Sequence, residues 1–211
     1  MRVQALLTGL ALLVAAPFTV PAPAAHAADG CEPGVLSDVN GDGWSDAVIG
    51  DPQATIGAAA QAGRLVVLYG DADGRVGEGA RDALWQGEAE VGGVAEAGDR
   101  FASSLAMADL DCDGYTDVVV GTPGEDLGGV EDSGYVQVLW GGAAGLAISR
   151  ASTPYTQASF GHVATDGDEF GFVVDAVEDV GQGGTPAPDA HVVAIGTCSE
   201  VANDANRGTT K

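Results

Sequence analysis

Three separate features of this chain recur at one spacing. Asp38 and Asp109, Gly50 and Gly121, and Gly63 and Gly134 are each 71 residues apart. A shared offset with no insertion or deletion means a fold built from repeated units. The most informative feature is Asp38-Val39-Asn40-Gly41-Asp42-Gly43-Trp44-Ser45-Asp46, which returns as Asp109-Leu110-Asp111-Cys112-Asp113-Gly114-Tyr115-Thr116-Asp117. Oxygen side chains at alternate positions converge on one centre if the backbone curls around it. Glycine at the sixth position permits the sharp turn. Hard oxygen donors in this number suit Ca²⁺. In the first loop the donors are Asp38, Asn40, Asp42 and Asp46, with the main-chain carbonyl of Trp44. In the second they are Asp109, Asp111, Asp113 and Asp117, with the carbonyl of Tyr115. A single copy leaves a solvated, empty turn as the lesser alternative; two copies in one context argue for about two metal sites.

The flanks decide the type of loop. An EF-hand carries a helix on each side and a bidentate Glu at position 12. Here position 12 is Ile49 in one copy and Val120 in the other. Ala47-Val48-Ile49-Gly50-Asp51-Pro52 and Val118-Val119-Val120-Gly121-Thr122-Pro123 are β-branched runs stopped by Gly and Pro, so they read as strands. The loops therefore belong to β-hairpins.

Further strands complete each unit. In the middle one, Phe101–Ala108 enters the loop and Val118–Gly121 returns from it. Gly134–Gly141 alternates Val136, Val138 and Trp140 against Tyr135, Gln137 and Leu139. Arg150–Gln157 reads as a fourth strand, with Pro154 marking an outer edge. Four antiparallel strands in meander order make a propeller blade. A weaker third copy follows: Gly167-Asp168-Glu169-Phe170-Gly171 echoes Gly98-Asp99-Arg100-Phe101-Ala102, and Val192–Gly196 echoes Val118–Gly121. The Gly- and acid-rich segments Gly87–Asp99 and Glu125–Ser133 read as loosely held loops.

Residues 1–27 read as a secretory signal: Arg2, a short apolar run Ala5–Val14, and Ala25-His26-Ala27 as a small-x-small cleavage site. Pro17, Pro21 and Pro23 break the run, which is too short to span a membrane. Cleavage leaves 211 less 27, or 184 residues, for residues 28–211: one ordinary domain, expected to be secreted and free of any membrane span. It carries 31 Asp and Glu against 7 Lys and Arg. That field repels nucleic acid and anionic lipid and attracts divalent cations and cationic partners.

These features together resemble the FG-GAP repeat proteins, whose blades build the N-terminal β-propeller of integrin α-subunits. The "FG" is Phe101-Ala102 and Phe170-Gly171. The "GAP" is Gly50-Asp51-Pro52, Gly121-Thr122-Pro123 and, degraded, Gly196-Thr197-Cys198. The resemblance covers roughly residues 37–197, with units near 31–99, 100–168 and 169–198 and a flexible tail over 199–211. It implies an all-β fold of propeller blades with Ca²⁺ in hairpin loops. It also implies binding or adhesion more often than catalysis, the partner being an extracellular protein or polysaccharide docked on blade-connecting loops. Three departures stand out. The first unit has Cys31-Glu32 in place of Phe-Gly, and the third loses the ligand spacing over Gly181–Asp189. The chain has about two and a half blades where a closed propeller has 4–8, so it is a truncated family member, associates with itself, or packs its arc compactly.

Cys31, Cys112 and Cys198 leave one cysteine over from any single disulfide. On the blade reading Cys112 lies on the face opposite the other two, which favours a Cys31–Cys198 clasp. The search for catalysis returns no G-x-S-x-G elbow, H-E-x-x-H or phosphate-cradling glycine loop. His191 abuts a strand and reads as structural; His162 reads as a loop residue. Trp44, Trp85 and Trp140 fit blade packing better than a sugar platform. The reading is a calcium-binding module without enzymatic activity. The alternatives are a secreted hydrolase or lyase on a propeller scaffold and a purely structural subunit.

Overall fold

The computed structural model describes residues 35, 37–88, 90–178 and 191–197. The leader over 1–27, the tail over 199–211, the degraded third loop over 181–189, and Cys31 and Cys198 lie outside the described residues. The described elements are nine strands and one short 3-10 helix at Gln157–Phe160. All strand pairings are antiparallel, in three sheets. The first sheet is β1 (Ala47–Asp51), β2 (Arg64–Gly70) and β3 (Val76–Leu84), in that order. The second is β4 (Ser104–Ala108), β5 (Asp117–Thr122), β6 (Tyr135–Leu139) and β7 (Thr153–Tyr155). The third pairs β8 (Val173–Glu178) with β9 (His191–Gly196). These are meander blades: the four strands expected of the middle unit are present, and Pro154 sits in the edge strand β7, where no ladder bond is demanded of it.

The 71-residue offset extends to the strand register. Leu65 faces Leu84 across β2 and β3, and Val136 faces Tyr155 across β6 and β7. The inner strand of the middle blade is shorter than the sequence suggests, beginning at Ser104 and not at Phe101. Ala102 has φ 63° and turns the chain, so Phe101 leaves the sheet and lies beside the preceding unit. There it forms a parallel bridge with Gly63, and Phe170 does the same with Gly134. Each contact is a short backbone ladder. Gly98, Arg100 and Phe101 donate to Ala60, Gln61 and Ala62, as Gly167, Glu169 and Phe170 donate to Glu131, Asp132 and Ser133. Glycine is required on the receiving side. Gly63 has φ 91°, and a Cβ there would fall 2.2 Å from the Phe101 carbonyl oxygen.

Two cores result. One joins the first and second blades through Leu65, Val67, Tyr69, Phe101, Val118, Val120 and Leu139. The other joins the second and third through Val119, Val136, Val138, Phe170 and Val174. The middle blade is covered on both faces, so every residue of β5 is buried. β2 shows buried residues only at alternate positions. The two inter-strand loops are held more firmly than their composition suggests. Val91 is fully buried and Glu125 nearly so, because both segments lie between blades. Cys112 is disulfide-bonded. The expected Cys31–Cys198 clasp falls on residues outside the described ones.

The blades approach closely at Gly121, where a Cβ would sit 2.0 Å from the Gly171 carbonyl oxygen of the next unit and 2.3 Å from Ser104 Oγ of its own. Gly121→Ala is expected to destabilise the fold by about 2–3 kcal/mol through overpacking. Gly79→Ala, where nothing lies within 4 Å, is expected to change it by less than about 0.5 kcal/mol. Urea denaturation of the two variants checks both.

Candidate metal centre

Each Asp-rich loop is tied down by its own carboxylates, and the bonds recur at the repeat offset. Asp38 Oδ2 accepts from Gly43 N–H at 2.8 Å, and Asp109 Oδ2 from Gly114 N–H at 2.9 Å. Asp42 Oδ1 accepts from Trp44 N–H at 2.9 Å, and Asp113 Oδ1 from Tyr115 N–H at 3.0 Å. Gly43 and Gly114 have φ 91° and 88°, left-handed values that a side chain would oppose. The ninth residue reaches further. Asp46 accepts from Val39 N–H at 2.9 Å and from Gly70 N–H at 2.9 Å. Asp117 accepts from Leu110 N–H at 2.8 Å and from Gly141 N–H at 2.9 Å. One carboxylate thus joins the start of the loop to the end of the next strand of the sheet, β2 in the first unit and β6 in the second.

The second loop gathers its acids most closely. Asp109, Asp111 and Asp117 each offer a carboxylate oxygen, and these lie within 4.8 Å of one another. Asp109 and Asp117 are buried and Asp111 is exposed. Burial pushes the Asp117 carboxyl up to about 7, and the charges of Asp111 and Asp113 add to the rise. Asp109 and Asp113 are raised as well, again mainly by burial. Asp113 stands outside the trio. In the first loop, burial raises Asp46. Asn40 replaces a carboxylate there, and its Nδ2 donates to Asp42 Oδ2 at 3.0 Å. The donors are carboxylate and amide oxygens, the chemistry that suits a hard divalent cation. The loops also touch. Thr116 N–H donates to the Asp38 carbonyl at 2.8 Å, and the Tyr115 ring covers Gly41, where a Cβ would lie 2.4 Å from Cε1.

A second set of buried polar groups, between blades, was not picked out from the sequence. Gln86 Nε2 donates to Glu125 Oε2 at 2.6 Å, and Gln157 Nε2 to Asp168 Oδ2 at 2.9 Å. Burial pushes Glu125 up to about 7 and Asp99 up to about 6. Two signals were present: Gln86 and Gln157 stand 71 apart, and Asp99 and Asp168 occupy one position of the Gly-Asp-x-Phe echo. Of the two histidines after residue 27, His162 is in an exposed loop and His191 opens β9.

These shifts fix a pH dependence for the protein in chelator. Asp117, Glu125 and Asp99 have folded values of about 7, 7 and 6, above the ordinary carboxyl values of 3.8, 4.5 and 3.8. A raised carboxyl favours the folded state while it is protonated. The contribution is complete below about pH 4 and is lost as pH rises through 6–7. In EDTA the chain is expected to be more stable at pH 5 than at pH 8, by on the order of 2 kcal/mol. Denaturant melts at the two values check the sign.

Comparison with known proteins agrees with this geometry. The FG-GAP repeat family model matches residues 101–139, from the bridging Phe101 through the second loop to the end of β6. Human integrin alpha-IIb is 35% identical over 160 residues, covering 72% of this chain and 13% of that protein. Mouse phosphatidylinositol-glycan-specific phospholipase D is 32% identical over 139 residues, covering 63% of this chain and 16% of that protein. The protein of that name from Dictyostelium discoideum is 27% identical over 156 residues, covering 71% and 15%. The matched region therefore spans about one seventh of these relatives' length. With its recurring hairpin loops and interlocked antiparallel blades, the chain is an FG-GAP repeat protein of the integrin α-like type.

Proposed function

We propose that this chain is an extracellular binding module whose two hairpin loops each hold a structural Ca²⁺. The observation that carries the reading is the convergence of Asp109, Asp111 and Asp117, two of them buried, in a loop whose bonding recurs in the first unit. Buried carboxylates without a cation cost free energy, and a divalent ion would offset their repulsion. Asp109, Asp111, Asp113, Asp117 and the Tyr115 carbonyl would hold one ion. Asp38, Asn40, Asp42, Asp46 and the Trp44 carbonyl would hold the other. Ligation supplies no chemistry beyond cross-linking the two arms of each hairpin.

Secretion is supported by the leader-like residues 1–27 and by the disulfide at Cys112, a bond that persists in oxidising compartments. Among the described residues no helix is long and apolar enough to cross a membrane. The partner would be an extracellular protein or polysaccharide docked on blade-connecting loops. Self-association is the second partner reading, because among the described residues nothing covers one apolar face of the first blade. Ile49 is 48% exposed, whereas its repeat equivalent Val120 is fully buried against that blade. Molar mass in solution with and without Ca²⁺ decides between a lone arc and an assembly.

A second reading follows from the relatives named phospholipase D: the repeats would accompany, or form part of, a hydrolase. Hydrolytic activity that disappears in His162→Ala would favour it.

For the calcium reading, the ~10⁻⁴–10⁻³ M affinities of extracellular modules give about 0.4–1.4 kcal/mol per site at millimolar Ca²⁺. Two sites are then expected to raise the melting temperature by about 2–10 °C. Calorimetry in EDTA and in excess Ca²⁺ measures this, and an unmoved transition counts against the proposal. Asp113→Ala is expected to remove one site's share. Asp117→Ala is expected also to lower the EDTA transition, because the Leu110 and Gly141 amides lose their acceptor.

A further inference from the structure

The two loops share their internal bonds but not their surroundings. Arg150 stands just before β7, and its Cζ lies 3.5 Å from the centroid of the Trp140 ring. Its Nη1 makes an ion pair with Oδ2 of Asp111, the third residue of the second loop. The ring beneath it is fixed: Trp140 Nε1–H donates to Thr153 Oγ1 at 3.1 Å, and the indole packs against the second core. Stacking on a fixed aromatic face holds the planar guanidinium in place at modest entropic cost.

The first unit has no counterpart. The position 71 residues before Arg150 is Gly79, and the position before Trp140 is Tyr69, whose hydroxyl donates to Asp82 Oδ2 at 2.7 Å. The residue matching Asp111 is the neutral Asn40. Among the described residues, no first-loop side chain makes an ion pair. The loop with four carboxylates thus carries a guanidinium, and the loop with three carboxylates and an amide does not.

We propose that Arg150 is a resident cation of the second loop, which holds Asp111 when metal is absent and lowers that loop's affinity for Ca²⁺. The inference rests on the calcium reading above. In the metal-free chain Arg150 offsets part of the repulsion among Asp109, Asp111, Asp113 and Asp117, so the hairpin keeps its shape before an ion arrives. For Asp111 to serve a bound ion it would have to release Arg150 or be shared between the two charges. Both routes weaken binding. The Arg150 side chain is 51% exposed, so solvent and salt moderate the effect. The first loop, without such a cation, fills at lower Ca²⁺ than its charge count suggests.

Calorimetric Ca²⁺ titration of the full chain tests this. Asp42→Ala disables the first loop, so the remaining site reads the second alone. Adding Arg150→Ala to it is expected to raise the association constant about two- to fivefold, the range of a partly exposed charge pair. The same change is expected to lower the melting temperature in EDTA. Arg150→Lys, which keeps the charge without the stacked plane, is expected to fall between. If Asp42→Ala does not fold, Arg150→Ala and the unaltered chain are compared in the two-site titration, where one constant of the two should rise. Equal or weaker affinity in Arg150→Ala overturns the role of Arg150 and leaves the calcium reading standing. No Ca²⁺ uptake by the unaltered chain overturns both.

Discussion

The carboxylate at the ninth position of each Asp-rich loop carries the architecture. Asp117 accepts from Leu110 at the mouth of its loop and from Gly141 just past the end of β6. Asp46 repeats this with Val39 and Gly70. These bonds tie each loop to the next strand of its sheet, β2 or β6, so opening the loop releases the end of that strand. Gly70 and Gly141 permit the contact for a steric reason: a Cβ at either would lie 2.4 or 2.5 Å from the carbonyl oxygen of Ser45 or Thr116. An acid that binds two amides is held in place, and carboxylate oxygens of Asp109 and Asp111 lie within 4.8 Å of one from Asp117. The acidic cluster is therefore a by-product of how the hairpin is closed.

The same economy governs the joints between blades. A short ladder lays Phe101 beside Gly63 and Phe170 beside Gly134. Arg100 and Glu169, one residue before these phenylalanines, pair at 2.8 Å, linking equivalent positions of successive units. Glutamine amides cross the joints to buried carboxyls, Gln86 to Glu125 and Gln157 to Asp168. Burying acids here has a cost that rises with pH. The chain accepts it because each acid has a donor fixed in position by the neighbouring blade.

Much of the chain was legible from its residues. The β-branched runs gave β1 and β5, the alternation of Val136 and Val138 against Gln137 and Leu139 gave both faces of β6, and Pro154 marked an edge. Local sequence misled where an inter-blade contact overrode it. Phe101 reads as strand but serves as a bridge, and Gly87–Asp99 reads as slack but is pinned through Val91. Cys112 reads as the odd thiol but is bonded. Arg150 was invisible as a site residue because 39 positions separate it from Asp111.

The sequence alone determined the repeat, the strand-borne loops and the oxygen donors, since spacing and residue type are local and periodic properties. Tertiary structure decided which strand is covered on both faces. β2 and β6 are similar apolar runs, yet Leu68 is only partly buried and its repeat equivalent Leu139 is fully buried. The difference is the presence of a neighbouring blade, and no residue within a strand records whether one is there.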